Sequence, residues 1–492
     1  MRTQYYFILN LLITFLFTPS LSAQNQILLN SGEQGISQTF NNYSETDIKA
    51  LDSIITMYSD LGQDELYPVR KKEFKYDVNG RKISEIPYDW DLEIQQWVTE
   101  QKEEFFYNDN NLLSEIIDYW KEESEQEWHR SGKHEYIYEN GNLTQLIYYN
   151  WWPDKSLWVL SKKDEYQYDT NNNLIRFINY YYNQESLLWE PQNKIEYDYD
   201  GNNYMTEMRE YLMVPQNSDW LITSKTVYSY DNNSDLTEET KSTYFSDLSE
   251  WRDYSKRCYL YNANHNIISD TVFLWNQNAG QWNYKSYGIN TYDVSNIKTG
   301  EEEYDWDATL WIGDFKENYI IDSNGEISEL DYYDWDADSN QWSFNEKIIL
   351  NIDATYTTDQ LILPFEYYLY NYSIHHMLLS LDSYINDGNE NWFSVNNVSY
   401  YYSNYNANSI DEPVNNLVTI YPNPVRDQVF IKSKGLSNNI VFELYNLQGI
   451  LVLYRTLSNN TSVCVSSLPN GLYFYSIQQN GKTQKGKLII KR

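Results

Sequence analysis

Cysteine, glycine and proline are scarce in this chain, and cations are scarce relative to anions. Of 492 residues, 2 are Cys, 18 are Gly and 11 are Pro. Two cysteines cannot form a disulfide framework. The 36 Lys and Arg residues are set against 71 Asp and Glu residues, so the net charge is −35. Because nucleic acids bind to basic surfaces, we expect no nucleic-acid partner.

Aromatic residues, in contrast, are abundant. The chain has 50 Tyr, 17 Trp and 17 Phe, which together make 17% of its residues. Aromatic rings bury too much apolar surface to remain solvated in a disordered acidic chain. We therefore expect a folded protein, long enough for two or three domains.

Residues 1–23 have the features of a secretory signal peptide. A positive charge at Arg2 precedes an apolar run over residues 7–17 (FILNLLITFLF), and residues 20–23 (SLSA) end in the small-x-small pattern of a cleavage site. We expect a polar lead-in over residues 24–51. The apolar run is shorter than the roughly 20 residues that span a bilayer, and no other stretch approaches that length, so no membrane-spanning segment is expected.

The composition changes at residue 411. Residues 411–492 carry a charge of +5 and the signal peptide carries +1, which leaves −41 for residues 24–410 in a chain of −35. The tail has short apolar segments separated by turns every 8–12 residues. This pattern predicts a small all-β sandwich, separate from the rest of the chain.

Four strings in the tail resemble the C-terminal sorting domain of type IX secretion substrates in Bacteroidetes. They are YPNPVRDQVFI (421–431), ELYNLQGILVL (443–453), LPNGLYFYSI (468–477) and KGKLIIKR (485–492). The resemblance implies an immunoglobulin-like sandwich that engages the outer-membrane secretion machinery, and a protein that is secreted or held at the cell surface. In that family the domain is commonly removed, and the passenger is released or attached to surface lipopolysaccharide.

Residues 52–410 contain an internal repeat of about 31 residues. One landmark is an aromatic residue or Ile before an Asp- or Asn-rich turn. It occurs at Tyr76, Tyr107, Tyr138, Tyr168, Tyr199, Tyr230, Tyr261, Tyr292, Ile321 and Ile352. A second landmark with the same step is a tryptophan series: Trp97, Trp128, Trp158, Trp189, Trp220, Trp251, Trp282, Trp311 and Trp342. Two landmarks with one period indicate a repeat architecture.

The repeat unit is predicted to be a β-hairpin. Apolar and charged residues alternate in KIEYDY (194–199), and a turn sequence and a second apolar segment follow. Because one hairpin cannot bury its own face, neighbouring units must pair. We expect roughly 20 antiparallel strands in a meander that curls into a shell or forms a long twisted sheet. A parallel β-solenoid is the alternative.

The strings YDYDGN (197–202) and YIYENGN (136–142) resemble YD repeats, which occur in Rhs-type and other bacterial surface proteins. The period in this chain is longer, and the tryptophan and an acidic connection are additional. Rhs proteins encapsulate a toxic domain. We expect no additional domain beside these repeats, so the encapsulating role is not carried over.

No catalytic motif is present, and we assign neither catalytic nor cofactor-binding residues. The chain lacks GxSxG, GxxxxGK[ST] and HExxH sequences. Acidic residues recur at equivalent positions in successive units, whereas an active site normally breaks the symmetry of its scaffold. We therefore expect a non-catalytic protein. The alternative is an extracellular hydrolase that acts on polysaccharide with two carboxyl groups about 5–10 Å apart.

Three carboxylates at alternating positions, Asp334, Asp336 and Asp338, are weak candidates for binding calcium, which prefers oxygen ligands. An EF-hand loop is excluded, because Gln341 and Lys347 stand where that loop needs Gly and Glu. The other interpretation is that these residues simply form a turn.

The tryptophan series is the candidate for ligand binding, because sugars stack on flat aromatic faces. A ring in every unit is also what a packed core requires, and packing is the favoured interpretation. The sequence thus predicts a secreted or cell-surface protein for non-catalytic binding or adhesion, with a glycan or a surface protein as its partner. A passive structural layer is a further alternative.

Overall fold

In the computed structural model, the chain forms two compact units, Met1–Ala407 and Asn408–Arg492. The residues that the structure describes are 48–60, 65–122, 125, 127–214, 219–364, 374–388, 391–405, 418–421, 425–433, 440–445, 451–457, 461–466, 468–469, 471–479 and 482–491. The predicted signal peptide and residues 24–47 of the predicted lead-in lie outside them.

The described part of the larger unit consists of β-strands and two single-turn 3-10 helices, Pro153–Lys155 and Thr358–Gln360. The strands are β1 Lys49–Tyr58, β2 Tyr67–Tyr76, β3 Lys82–Asp91, β4 Gln96–Val98, β5 Gln101–Tyr107, β6 Leu113–Trp120, β7 His129–Glu139, β8 Asn142–Trp152, β9 Leu157–Tyr168, β10 Leu174–Asn183, β11 Leu188–Tyr199, β12 Met205–Val214, β13 Asp219–Tyr230, β14 Leu236–Phe245, β15 Glu250–Tyr261, β16 Ile267–Asn276, β17 Gln281–Tyr292, β18 Lys298–Trp306, β19 Trp311–Ile321, β20 Ile327–Asp336, β21 Gln341–Thr357, β22 Leu361–Ile362, β23 His376–Asn386 and β24 Trp392–Asn404. The first strand thus begins two residues before the predicted end of the lead-in at residue 51.

The strands form an antiparallel meander that closes on itself. Successive long strands pair with each other, and β24 pairs with β1 from Lys49↔Asn404 to Tyr58↔Asn396. The short strands β4 and β22 lie outside this succession, since β3 also pairs with β5 and β21 also pairs with β23. The result is a closed ring of 22 strands. The predicted hairpin meander is confirmed, and the alternative of a parallel β-solenoid is wrong.

One set of hairpin turns is built around an Asp or Asn side chain. The carboxylate of Asp77 accepts hydrogen bonds from the backbone N–H groups of Asn79 and Arg81, at 2.9 and 3.0 Å. The fourth turn residue, here Gly80, has a positive φ of 74°. Such turns need a short acceptor side chain first and a residue tolerant of positive φ later. The equivalent acceptor side chains in the other turns belong to Asn108, Asp169, Asp200, Asp231, Asn262, Asp293 and Asp322.

A β-bulge recurs near the other end of the hairpins. Between β10 and β11, Asn179 pairs with Asn193 and Tyr180 pairs with Pro191, so that Gln192 is the extra residue. The corresponding extra residues in other units are Ser131, Ser161, Thr223, Tyr254, Lys285, Asp314 and Asn345. A bulge bends its strand and increases the local twist. Because this bulge stands at a constant position in successive units, it curves the sheet evenly.

The two faces of the sheet have different chemistry. The tyrosine face is the face that carries Phe74 and Tyr76, and the lysine face carries Lys71 and Glu73. In each hairpin we call the end at the Asp or Asn turn the Asp-turn end, and the opposite end the tryptophan end. At the Asp-turn end, the tyrosine face packs into apolar clusters, one of which surrounds Phe105.

In six of the units, a hydroxyl group forms a link to the preceding unit on the tyrosine face. The tyrosine before the turn donates a hydrogen bond of 2.7 to 3.0 Å to the carbonyl oxygen 25 residues earlier. The pairs are Tyr76 with Leu51, Tyr107 with Lys82, Tyr199 with Leu174, Tyr230 with Met205, Tyr261 with Leu236, and Tyr292 with Ile267. This bond explains why tyrosine, rather than phenylalanine, recurs at the first landmark.

The smaller unit contains two sheets. Its strands are β25 Val418–Tyr421, β26 Gln428–Ser433, β27 Ile440–Tyr445, β28 Leu451–Leu457, β29 Thr461–Cys464, β30 Gly471–Gln479 and β31 Lys482–Ile490. The sheets have the orders β25-β26-β29 and β28-β27-β30-β31. Val429 and Val463 from one sheet share a buried core with Phe442 and Ile477 from the other. This arrangement agrees with the predicted small β-sandwich, while its immunoglobulin-like topology stays a prediction.

The substitution Tyr199→Phe is expected to destabilise the larger unit by about 1 kcal/mol, because it leaves the Leu174 carbonyl without this donor. Urea unfolding followed by tryptophan fluorescence measures the change. The matched control is Tyr181→Phe, whose ring is 49% exposed and for which the expected change is under about 0.5 kcal/mol. Equal losses in the two variants would contradict a structural role for the hydroxyl.

Candidate functional site

The tryptophan series lies on the lysine face at the tryptophan end. Most of its members stand directly opposite another aromatic ring in the preceding strand. Ring centroids are 5.1 Å apart for Trp90–Trp97, 4.9 Å for Trp151–Trp158 and 5.1 Å for Trp275–Trp282, with interplanar angles of 68 to 75°. These edge-to-face contacts are favourable beyond the area that they bury.

A lysine covers these rings in several units, within a repeated network. In one unit the Lys194 ammonium lies 2.8 Å from the Glu196 carboxylate, and the hydroxyl of Tyr211 donates to the same carboxylate at 3.0 Å. The ammonium is 3.9 Å from the centroid of the Tyr211 ring and 5.4 Å from that of Trp220. Equivalent Lys, Glu, Tyr and Trp contacts occur at Lys71-Glu73-Tyr88-Trp97, Lys102-Glu104-Tyr119-Trp128 and Lys163-Glu165-Tyr180-Trp189.

The network shifts the titration of its tyrosines. Burial, together with the hydrogen bond to Glu73, raises the pKa of Tyr88 to about 12. Burial and the Glu104 carboxylate do the same for Tyr119, whose pKa is also about 12. These hydroxyls therefore remain protonated donors throughout the physiological pH range, as a packing network requires.

Later units keep the rings and lose this glutamate. The position of Glu196 is taken by Val227, Cys258, Ile289 and Asn318 in the next four units. At the lysine position, Tyr287 stacks on Tyr304 with centroids 4.8 Å apart. The contacts of the tryptophan series are thus those of a packed row. Sugar binding by its nine members stays a prediction.

The space around Gly313 shows how tightly the rings of this row are packed. A Cβ atom at this position would lie 2.5 Å from Trp335 and 2.6 Å from Trp342, whereas one at Gly201 would meet nothing within 4 Å. We expect Gly313→Ala to cost about 1–3 kcal/mol, because the rings must move apart. Gly201→Ala is expected to be neutral or slightly stabilising. Thermal unfolding of both variants checks this, and a Gly313→Ala protein as stable as the wild type would disprove tight packing.

A different set of apolar side chains is exposed. Six of them lie on the tyrosine face at the tryptophan end, one in each of β6, β8, β10, β12, β14 and β16: Trp120, Trp152, Tyr181, Leu212, Phe245 and Leu274. Their exposed fractions range from 38 to 49%. We call them the exposed stripe.

The strand register places the stripe on one face. Lys162 stands opposite both Tyr181 and Tyr148, so these side chains lie on one face. Trp152 is four residues after Tyr148 in the same strand and therefore lies on that face too. Tyr181 and Leu212 are linked in the same way through Asn179↔Asn193 and Asn193↔Leu212. Alternate strands of a sheet lie about 10 Å apart, so the stripe runs across roughly 50 Å of it. Sequence reasoning missed it, because the alternation of each strand had to be combined with the position of every bulge.

Buried carboxyl groups lie on the same face, in strands further along the ring. Glu301, Glu317, Tyr332 and Glu346 stand opposite one another across β18 to β21. Glu317 is 3% exposed, and its Oε1 has no hydrogen-bond partner among the described residues. Burial raises the pKa of Glu317 to about 7, and burial with the nearby Asp334 raises that of Glu346 to about 7. The Glu317 carboxyl is thereby closed to a large substrate.

The raised pKa of Glu317 predicts a pH dependence of stability. Its folded value of about 7 lies above the ordinary 4.5, so its stabilising contribution is complete below about pH 4.5 and is lost as the pH rises through 7. Glu317→Gln is expected to remove this part of the decline, up to about 3 kcal/mol. Urea unfolding between pH 4.5 and 7.5 measures it. Asp109→Asn, at an exposed turn, is the control, and parallel wild-type and Glu317→Gln profiles would count against the prediction.

The calcium candidates are not brought together as ligands. Asp336 accepts hydrogen bonds from the backbone N–H of Asp338 at 3.0 Å and from the hydroxyl of Ser339 at 2.7 Å, which makes it a turn-forming residue. Asp334 accepts a hydrogen bond from the Asn345 amide. Over the described ranges, no group of three or more His, Cys, Asp and Glu side chains is placed to hold a metal ion. Nor does any helix in that part of the chain have the length and hydropathy to cross a membrane.

The tail can be assigned by comparison with known families. Residues 419–491 match the family described as the secretion system C-terminal sorting domain. The protein is secreted or held at the cell surface. The predicted location is thereby confirmed, and the sorting domain implies an interaction with the secretion machinery of Bacteroidetes. The resemblance of the repeats to YD repeats stays a prediction.

Several similar solved structures come from Bacteroides species. A protein of unknown function from Bacteroides fragilis is 19% identical over 28% of this chain and 96% of its own, with a TM-score of 0.23. A DUF3836 family protein from Bacteroides vulgatus is 20% identical over 19% and 90%, with a TM-score of 0.17. A porin-like protein from Bacteroides uniformis is 6% identical over 72% and 98%, with a TM-score of 0.21. These likenesses carry no argument about function. No curated protein matches the chain.

Proposed function

We propose that this secreted or surface-held protein is a non-catalytic binding protein, whose ring of hairpins presents the exposed stripe to a partner outside the cell. The stripe is the observation that carries the proposal. Large apolar side chains in six successive hairpins are 38 to 49% exposed on one face and at one end. A row of exposed apolar side chains on a protein exported into water favours an interaction site.

The Asp-turn ends of the same hairpins provide a contrast. Their turns consist mainly of Asp, Asn, Gly and Ser, and their tyrosine face is packed into apolar clusters. The apolar exposure on the tyrosine face is therefore concentrated at the tryptophan end. An even distribution of exposed apolar residues would need no explanation, whereas a row in one register favours a partner.

The burial of the acidic groups supports a non-catalytic role. A glycosidase needs one carboxyl group that is protonated near neutral pH and in contact with the glycosidic oxygen. The pKa values of Glu317 and Glu346 are raised to about 7, but Glu317 is 3% exposed and Glu346 is half-buried. A hydrolase acting on polysaccharide is the alternative, and a passive surface layer is another.

The proposal is tested by adhesion of the full secreted chain, immobilised on beads, to the envelopes of intact bacteria. We expect the variant with Trp120→Ser, Tyr181→Ser and Leu212→Ser to adhere at least tenfold less than the wild type. The control carries Phe106→Ser, Leu260→Ser and Ile320→Ser, three residues exposed by 40 to 63% on the lysine face. It is expected to adhere like the wild type.

Two results would contradict the proposal. Equal adhesion of the stripe variant and the control variant would show that the stripe is not the binding surface. Release of reducing sugar from a polysaccharide by the wild type, abolished in Glu317→Gln, would show instead that the protein is a hydrolase. Circular dichroism of each variant verifies that the strands are retained.

A further inference from the structure

Four of the side chains that stand opposite members of the stripe are uncharged and polar. Trp120 stands opposite Gln101, Leu212 opposite Asn193, and Leu274 opposite both Ser255 and Asn283. Gln101 and Asn283 are exposed. Amide and hydroxyl groups both donate and accept hydrogen bonds, so they suit a ligand that carries hydroxyl groups at regular intervals.

Two aromatic members form neighbouring platforms. Trp120 and Trp152 lie in the alternate strands β6 and β8, which are about 10 Å apart, and the pairs Asp118↔Gly132 and Gly132↔Asn150 place them at the same level. This distance is close to the length of two pyranose rings in an extended β-linked chain. A polysaccharide that crosses these strands therefore meets the two rings two sugars apart. The Lys155 ammonium covers one side of the Trp152 ring, 3.9 Å from its centroid.

The charge of the protein selects among polysaccharides. Residues 24–410 carry −41, which repels uronic-acid and sulfated polymers. Carboxylates also occur beside the stripe, at Glu190 opposite Tyr181 and Glu250 opposite Phe245. Self-association through the stripe meets the same repulsion, because each copy brings an equal negative charge. An uncharged polymer incurs no such cost.

We propose that the exposed stripe binds a neutral, extended β-linked polysaccharide, with sugar rings stacked on Trp120 and Trp152 and hydroxyl groups bonded to the amides of Gln101 and Asn193. This inference rests on the proposed binding function and names its ligand class. Occupancy of both platforms makes the affinity depend on chain length, because a disaccharide is too short to stack on both rings.

The test is isothermal titration of the full secreted chain with hexasaccharides and disaccharides of β-linked glucose, mannose and xylose, and with hexagalacturonate. We expect at least one neutral hexasaccharide to bind at least tenfold more tightly than its disaccharide, and hexagalacturonate to bind at least tenfold more weakly. Trp120→Ala and Trp152→Ala are each expected to weaken hexasaccharide binding about tenfold. Phe106→Ala, which removes an exposed ring from the lysine face, is expected to change it less than twofold.

Three outcomes would overturn the inference. They are no saturable binding of any neutral hexasaccharide, unchanged binding in both tryptophan variants, and tighter binding of hexagalacturonate. If adhesion to envelopes still depends on the stripe in that case, the binding function stands and only the ligand class is wrong. Light scattering that shows a stripe-dependent dimer would assign the surface to a second copy of the chain and would also overturn the inference. Loss of both adhesion and glycan binding would refute both proposals.

Discussion

The pairing of β24 with β1 is the constraint on which the rest of the larger unit depends. An open antiparallel sheet has two edge strands whose outer N–H and C=O groups have no partner, and such edges promote aggregation. Closure provides partners for both edges within one chain. It is possible only if every hairpin contributes a similar bend, and the recurring bulge supplies that bend at a fixed position, as at Gln192 and Thr223.

The two faces divide the energetic roles between them. On the tyrosine face, hydroxyl groups such as that of Tyr199 bind six of the units to the unit before them, and apolar side chains pack at the Asp-turn end. On the lysine face, the few cations of an acidic chain lie between rings. Lys194 is paired with Glu196 and covers Tyr211, so one scarce positive charge serves an ion pair and a cation–π contact. Both arrangements are local to neighbouring strands, as expected for a repeat protein.

The sequence was sufficient for the repeat, the hairpins and the sorting domain, because each depends on short-range patterns. Alternation in residues 194–199 identifies a strand, and Asp200-Gly201 identifies its turn. Closure was not predictable in this way, since it depends on the summed curvature of 22 strands. The exposed stripe was missed for a related reason: Trp120 and Trp152 differ by one position within their units, and only the register shows that they share a face. The tryptophan series was visible because its spacing is constant, which is also what packing produces.

Because the bulge is repeated and the closing strands are separate from the ordinary units, the circumference of the ring can change by whole units. Ordinary units contribute two strands and an identical bend, whereas the seam is formed by the specialised segments β1, β21 to β24 and the parallel pair of β1 with β22. Duplication or deletion of one 31-residue unit by recombination would leave this seam intact and change the girth of the ring by two strands. It would also lengthen or shorten the exposed stripe by one side chain. Proteins of this kind can thus change in size through the number of their units, while the contacts within and between units stay the same.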